Sequence, residues 1–479
     1  MIEGQQIFLL MVVAGVPAWL LWKRRDDLLV RWICLTAAID VLGAHVLVNL
    51  PSTRVAGLMV LPSSFTALSA MRVSRAGRAL WWYVIWLGIL GIVFGFLMPW
   101  PTEGLDRLPT QTAEGRAVIY FVRRVADISL AVYLARYLWK KRQPQRFISL
   151  FVGGTTIAAI GGIAQSTTGC DLYALLTGTP ELGLDYRMRG LNYEPRGLGL
   201  IAGQGLLVCL ALWGRQRSWK WLALVGIHAL GLFVSVSTSG LFVVAAGLVP
   251  LLVLDAATRK SVMVVCAMIL ALWGAWSYLA PRNDFADSWS ENVGLRLAAE
   301  KTGTAPQTKL EELALHLDIF DAAAFVFLAS RPAMLLSGAG PGMSGLASTD
   351  YLPSADVFQW VDAEGAGINT VPHMGLLREL CDAGLVGLSL LAVFLAASGR
   401  ALRNLSAFRR ERAAEWQLAR VVFWIMTAVY FVQGSPLSAA PSIFLAIGLA
   451  ATWLAGVPAG SATAKMAGAM RPAILGGQL

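Results

Sequence analysis

Charged residues are scarce in this sequence. They make up 14% of its 479 residues, whereas hydrophobic residues make up 57%, and the mean hydropathy is +0.62. Soluble domains carry about 25% charged residues. The shortage of charge excludes an ordinary soluble domain and predicts an all-α polytopic membrane protein, because many apolar runs reach the roughly 20 residues that a membrane helix needs.

Residue patterns typical of metal and cofactor sites are also lacking. The five cysteines are odd in number and show no metal-type spacing, so neither a disulfide framework nor a zinc site is indicated. A G-x-G-x-x-G match at Gly340, Gly342 and Gly345 does not follow a strand in a βαβ unit, which excludes dinucleotide binding. We therefore expect no metal and no cofactor.

The basic residues, which give a net charge of +10, cluster in alternate loops between the apolar runs. No basic run is interleaved with aromatic residues on a soluble segment, which argues against a nucleic-acid partner. Lys and Arg collect in cytoplasmic loops of membrane proteins. The alternation predicts thirteen spans, within a range of twelve to fourteen, with the amino terminus outside. The predicted spans are 5–22, 28–50, 54–71, 79–99, 117–138, 147–165, 197–213, 220–235, 238–254, 261–280, 373–398, 421–434 and 440–457.

The spans divide the chain into four regions. Residues 1–280 form a transmembrane bundle with an outer loop at 166–196, and residues 281–372 form one long outer segment. Within the long segment, residues 309–330 have an acidic start and an apolar finish, which predicts an interfacial or re-entrant helix. Further spans, with the basic cytoplasmic loop 399–420, occupy 373–457, and 458–479 is a cytoplasmic tail.

The outer stretch YRMRGLNYEPRGLG (186–199) contains three arginines, Arg187, Arg189 and Arg196, on the side that the positive-inside rule disfavours. Guanidinium groups suit bidentate contact with phosphate oxygens, and the helix dipole at the start of the next span adds to an anion site at Arg196. Single arginines at such positions also serve as interface anchors. Glu194 either orients an arginine, which we favour, or acts as a catalytic carboxylate.

A histidine opens the next candidate segment, NTVPHMGLLRELCDAGLVG (369–387). His373 lies at the outer end of a predicted helix, close in sequence to Arg378 and Glu379. An imidazole in this position is able to accept a proton from an attacking hydroxyl near neutral pH. A structural histidine is the alternative interpretation.

Two further segments carry charge. In SRPAMLLSGAGPGMSG (330–345) the glycines favour a tight outer loop, and Arg331 is another candidate for anion binding. Arg123, Arg124 and Asp127 lie inside a predicted span, where charge is costly and usually paired. They predict either an ion pair within the helix, at spacings of three and four residues, or a path for a charged lipid headgroup.

These segments, in this order, resemble the O-antigen ligase and polymerase superfamily of bacterial envelope glycosyltransferases. The first shared pattern is an arginine followed by a Gly–aromatic–acid–Pro stretch, here Arg187, Gly190, Tyr193, Glu194 and Pro195. A long outer loop follows, with Arg331-Pro332 and GAGPG. The last pattern is H-x-x-x-L-x-x-x-x-x-x-G-L-x-G, here within PHMGLLRELCDAGLVG.

The sequence departs from the family at three places. Arg196 and Met374 stand where the family often has Asn, and VSTSG (235–239) lacks the arginine that is frequent there. The family's second phosphate-binding arginine therefore has three candidates, Arg331, Arg296 and Arg282.

The resemblance implies a GT-C-like helical bundle in the bacterial inner membrane with its active site facing the periplasm. The donor would be an oligosaccharide on undecaprenyl diphosphate, and transfer would invert the anomeric configuration without a metal. His373 would act as general base or orient the acceptor, while Arg187 and one or two further arginines neutralise the diphosphate. We favour a polymerase, with a ligase that transfers the glycan to lipid A core as the alternative. Further alternatives are a glycosyltransferase acting on protein, a transporter of lipid-linked glycans and a scaffold of an assembly complex.

The resemblance also suggests partners. Chain-length regulators and export proteins are candidate partners besides the glycan acceptor and membrane lipids.

Overall fold

The chain folds as a bundle of α-helices. A computed structural model describes residues 4–39, 52–71, 74–98, 112–178, 188–192, 194–255, 319–348, 372–408, 412–433 and 440–456, with four isolated positions at 259, 262, 263 and 267. Within these ranges there is no strand, which confirms the all-α class. The helices are α1 Gly4–Trp22, α2 Asp26–Thr36, α3 Ser52–Met71, α4 Arg75–Ile92 (continued by a π-helical turn, Val93–Leu97), α5 Ala113–Lys141, α6 Pro144–Thr168, α7 Leu172–Thr177, α8 Pro195–Gln216, α9 Trp219–Ser235, α10 Thr238–Leu254, α11 Ile319–Ser330, α12 Pro332–Ser337, α13 Ser344–Ser348, α14 Gly375–Phe408, α15 Ala413–Val432 and α16 Ala440–Ala455.

The predicted spans overlap described helices, but the span 28–50 was wrong in its described part beyond Thr36, because α2 ends there and residues 37–39 are not helical. The span at 261–280, the second half of 28–50 and the first ten residues of the predicted helix 309–330 lie outside the described residues. Four described helices are long and apolar enough to cross a membrane by length and composition: Arg75–Leu97, Pro144–Thr168, Pro195–Gln216 and Gly375–Ala407. The chain is therefore a helical membrane protein, and the larger number of spans stays a prediction.

Helix α8 forms the centre of the bundle. In its most apolar stretch 94% of the residues are buried, compared with 39% in α4. Small residues on α8 allow its neighbours to approach: a Cβ at Gly199 would lie 2.3 Å from the side chain of Ser237, and one at Gly205 would lie 2.2 Å from His228. The His228 ring is fully buried and contacts the Thr155 hydroxyl at 2.9 Å, so this histidine has a structural role.

Contacts between helix ends agree with the charge alternation. At the end that carries the basic loops, Lys141 pairs with Asp27 at 3.1 Å and Arg215 pairs with Asp255 at 2.6 Å. We call this the basic end. Helices meet again at the opposite end, where Arg196 Nη2 donates to Gln433 Oε1 at 2.8 Å. Each contact joins two helix ends that the sequence places on the same side of the membrane.

The exposed cysteine tests this orientation. Cys170 is exposed at the end opposite the basic loops, whereas Cys34, Cys209 and Cys381 are buried. In a Cys266→Ser background, we expect a membrane-impermeant maleimide to label Cys170 in spheroplasts, because the positive-inside rule predicts that the end opposite the basic loops faces outward. Labelling is followed by the mass shift of the purified protein.

The control is a second cysteine at the basic end. Arg403→Cys, placed at an exposed position of α14 in a protein that also carries Cys170→Ala, should react only after permeabilisation. Labelling of Arg403→Cys in intact spheroplasts, with none at Cys170, would reverse the assigned orientation.

Candidate functional site

Helix α5 carries a stripe of polar side chains in the half of the bundle opposite the basic end. The stripe consists of Arg116, Tyr120, Arg123, Arg124 and Asp127, whose spacing of three or four residues places them on one helix face. Arg116 is 1% exposed, and Arg123 and Asp127 are each 8% exposed. Charged side chains are buried in a protein only where opposite charges or hydrogen-bonding groups compensate them.

The carboxylate of Glu379 on α14 compensates Arg124. Arg124 Nη2 lies 2.5 Å from Glu379 Oε1, and the Tyr83 hydroxyl donates to Glu379 Oε2 at 2.6 Å. The Tyr430 hydroxyl donates to the same carboxylate and accepts a hydrogen bond from Arg124 Nη1 at 2.8 Å. Glu379 is thus held by groups from α4, α5 and α15, and its oxygens are already engaged by three donors.

Asp382, one turn further along α14, ties the same face to the glycine-rich segment. Its Oδ1 accepts the Gly342 amide at 3.2 Å, and its Oδ2 lies 3.8 Å from both Arg124 Nη2 and Arg378 Nε. Arg116 Nε donates to the carbonyl of Gly342 at 2.9 Å. The turn predicted from GAGPG is therefore bound to both α5 and α14.

Helix α14 is broken at Gly384, which has φ 66° and ψ −172°. The break ends a half-helix, residues 375–383, inside the protein, where its last carbonyls need donors. The amides of Ala339 and Gly340 donate to the carbonyls of Cys381 and Asp382 at 2.7 and 3.1 Å, and Trp86 Nε1 donates to Ala383 O at 2.8 Å. The glycine-rich turn thus caps the half-helix, and Gly384 is the glycine of the motif that His373 begins.

His373 lies at the other end of this half-helix. Its ring is half-buried and packs edge-on against Phe320 of α11, with the ring centroids 5.8 Å apart. The next amide, of Met374, donates to Asp321 Oδ1 at 2.8 Å. His373 therefore lies at the start of the same half-helix that carries the buried Arg378, about one and a half turns further along.

Of the two alternatives that the sequence left open for α5, the ion pair within the helix was wrong for Arg124 and Asp127, and the path for a lipid headgroup stays a prediction. Asp127 pairs with Arg54 of α3, whose Nε lies 3.3 Å from Asp127 Oδ1, and Arg124 pairs with Glu379. Arg124 and Asp127 of α5 therefore pair with residues of opposite charge on α14 and α3. The spacing on one helix gave no information about these partners.

The predicted anion-binding arginines of the loop have different surroundings. Arg189 is 3% exposed, and its Nε contacts both oxygens of Asp171 at 2.9 Å. Gln165 Oε1 accepts the amides of Arg189 and Gly190, and Gly190 has φ 58°. A phosphate would have to compete with Asp171 for Arg189, so we interpret this arginine as a structural tie of the loop. Arg187 lies outside the described residues.

Arg196 contacts the residue that follows α15. It is partly buried at the start of α8 and donates to Gln433, which lies three residues after the Glu379-binding Tyr430 on α15. Glu194 is exposed at the residue before α8 and makes no capping hydrogen bond with its side chain. Arg196 is thus the predicted residue of this loop whose described contacts lead to the residues around Glu379.

Arg331 lies near the half-helix of α14, through its contact with Phe327. It is exposed between α11 and α12, with its guanidinium 5.8 Å from the centroid of the Phe327 ring. Phe327 belongs to a small apolar cluster with Leu377 and Cys381 of α14. Arg331 is thus available to solvent beside the half-helix that His373 begins.

A cavity adjoins the charged residues. The polar side chains on its wall are Tyr83, Arg124, Asp127, Glu379 and Tyr430, and α16 contributes apolar residues. Sequence reasoning identified Arg123, Arg124 and Asp127 as notable but missed Arg54, Tyr83, Asp382 and Tyr430. Asp382 could have been found from its spacing of four residues from Arg378, whereas Tyr83 and Tyr430 carry no signal in their own segments.

Among the described residues, no group of histidine, cysteine and acidic side chains is arranged to hold a metal ion. No known family profile matches the sequence, and no match was found among curated proteins. The arrangement of the side chains therefore carries the functional argument.

The break at Gly384 gives a direct test of this arrangement. A Cβ at Gly384 would lie 2.4 Å from the amide nitrogen of Gly338 and from Leu336 O, in a backbone conformation that is nearly exclusive to glycine and costs other residues about 1–3 kcal/mol. We expect Gly384→Ala to lower the free energy of unfolding by about 2 kcal/mol or more. Thermal unfolding of the purified protein in detergent measures the change.

The matched control is Gly226→Ala on α9, where a Cβ meets nothing within 4 Å. Alanine there should leave stability unchanged or raise it by about 0.5–1 kcal/mol. Equal melting temperatures for the two variants would show that the break in α14 is not tightly packed.

Proposed function

We propose that the protein is an inverting glycosyltransferase of the bacterial inner membrane. It would polymerise oligosaccharide repeat units carried on undecaprenyl diphosphate at the periplasmic face, as an O-antigen or exopolysaccharide polymerase with a GT-C-like bundle. The observation that carries the proposal is the buried half-helix of α14, which holds His373 at its outer end and Arg378 one and a half turns deeper. A base and a set of cations are the two components that this transfer requires.

In this reaction the imidazole of His373 takes the proton from an acceptor hydroxyl. The hydroxyl oxygen forms the new bond to the anomeric carbon from the face opposite the leaving group, so the configuration inverts. The bond to the diphosphate oxygen breaks at the same time, and the lipid diphosphate leaves with the electron pair. Guanidinium groups neutralise the charge that develops on the leaving group, as a metal ion would in other transferases.

Several arginines are candidates for the diphosphate. Arg196 is supported by its position at the start of α8 and by its contact with α15. Arg331 is exposed beside the half-helix. Arg187 is supported by the family motif alone, and Glu194 would orient a neighbouring arginine.

A ligase that transfers the glycan to lipid A core is the alternative, because it needs the same base and cations. The two enzymes differ in the acceptor, which the side chains near His373 do not specify. A transporter of lipid-linked glycans has less support, because a transporter has no need for a base next to the anion site.

His373→Ala tests the proposal. The purified protein is incubated with lipid-linked repeat units alone, and product length is followed on a gel. We expect the wild type to form a ladder and His373→Ala to lose at least about 99% of this activity, since general-base catalysis contributes about 10²–10⁴-fold. Arg196→Gln should reduce the rate at least about tenfold while the protein remains folded.

Retained melting temperatures for both variants are the control for folding. A ladder of normal length from His373→Ala would contradict the proposed role of the histidine. Product that forms only after lipid A core is added would identify the ligase instead of the polymerase.

A further inference from the structure

Helix α11 holds the start of the half-helix of α14. The Phe320 ring packs edge-on against the His373 ring, with the centroids 5.8 Å apart, and Asp321 Oδ1 accepts the Met374 amide at 2.8 Å. Two consecutive residues of α11 thus contact the two consecutive residues that precede α14. This pairing places the carboxylate of Asp321 next to the backbone that carries the proposed base.

Asp321 is buried at this contact, with only 3% of its surface exposed. Burying a carboxylate costs free energy unless hydrogen-bond donors compensate it. The Met374 amide is one such donor, and amides at the start of a helix carry the partial positive charge of the helix dipole. The carboxylate therefore stabilises the start of the half-helix, and the amide in turn compensates the carboxylate.

The half-helix supplies no carboxylate of its own for this amide. In a capping box, an acidic side chain at the third helical position accepts the amide of the residue that precedes the helix. Leu377 occupies that position in α14, and the first turn of the helix contains no acidic residue. Asp321, 53 residues before Met374 in the sequence, makes the equivalent contact from another helix.

The segment that contains Asp321 also follows the half-helix to its other end. Phe327 of α11 belongs to the same apolar cluster as Leu377 and Cys381. The chain then passes through α12 to the glycine-rich turn, whose amides donate to the last carbonyls of the half-helix. One continuous segment, residues 319–340, therefore holds both ends of the half-helix, and Asp321 is its polar contact at the His373 end.

We propose that Asp321 is a positioning residue for the reaction of His373. The inference rests on the proposed function, because it concerns the same base. Asp321 acts through the Met374 amide, which fixes the backbone beside His373 and so the direction from which the imidazole meets the acceptor hydroxyl. Proton transfer requires a separation of about 2.6–3.2 Å between the heavy atoms. A misplacement of about 1 Å lowers the rate by up to about 100-fold, so a residue that never touches the substrate controls the rate.

Hydrogen exchange and steady-state kinetics of the full-length protein in detergent together test this role. Exchange is followed by mass spectrometry on peptides that cover residues 372–377. We expect Asp321→Ala to speed exchange in this segment about tenfold or more, because a hydrogen bond to a charged group is lost. With lipid-linked repeat units as substrate, the same variant should lower kcat about tenfold or more and change KM for the donor less than about twofold.

Asp321→Asn is the second variant, and it decides the test if Asp321→Ala does not fold. Asparagine keeps an oxygen that accepts the Met374 amide but loses the charge. Because hydrogen bonds to charged groups are about twice as strong as neutral ones, we expect faster exchange and a kcat about threefold or more below that of the wild type, a smaller loss than with alanine.

Asp255→Asn is the matched control for this variant. Asp255 is 4% exposed and pairs with Arg215 at 2.6 Å at the basic end of the bundle. The substitution makes the same change at an equally buried aspartate. It should lower the melting temperature but leave kcat, and exchange of residues 372–377, at their wild-type values.

Wild-type exchange in a folded Asp321→Ala variant would overturn the inference, as would faster exchange with an unchanged kcat. Equal losses of kcat in Asp321→Asn and Asp255→Asn would also overturn it, because a general loss of stability would explain both. Failure of the proposed function gives a different result. In that case the wild type transfers no glycan and the catalytic role of Asp321 falls with the function, while Asp321→Ala still speeds exchange.

Discussion

The buried ion pair between Arg124 and Glu379 holds the candidate site together. It joins α5 to the half-helix of α14, and the hydroxyls of Tyr83 and Tyr430 bring α4 and α15 to the same carboxylate. Removing one partner from such a pair costs about 3–5 kcal/mol, because an uncompensated charge remains in a medium of low dielectric constant. The position of the half-helix, and with it His373, depends on this contact.

The glycine-rich turn makes the half-helix possible. A helix that ends inside a membrane protein leaves carbonyls without partners unless other groups donate to them. The amides of Ala339 and Gly340 and the indole of Trp86 supply these donors. Only a residue without a side chain fits at Gly384, where two backbone segments cross at close range. A segment far away in sequence thus fixes the end of the helix that carries the proposed base.

Much of the fold follows from the sequence, because each membrane-type helix is set by its own apolar length. The predicted spans match α3 to α6, α8 to α10 and α14 to α16 within a few residues at most ends. The break in α14 was not predictable, since its cause is packing of Gly384 against Gly338 and not a signal in the helix. The same limit applies to the site: the spacing of Arg123, Arg124 and Asp127 identified a charged face, but Arg54 and Glu379, which bind it, come from distant segments. Arg189 was a candidate phosphate ligand by sequence, and only the fold shows Asp171 beside it.

The central claim is that the half-helix of α14 brings a base and a group of cations to one substrate. Its most direct test is the structure, by electron cryomicroscopy in lipid nanodiscs, of the protein bound to a lipid-linked donor that cannot be transferred. We expect phosphate oxygens within about 3 Å of a guanidinium of Arg196, Arg331 or Arg378, with the anomeric carbon on the His373 side. A donor bound at the basic end of the bundle, or bound with its anomeric carbon remote from His373, would contradict the account.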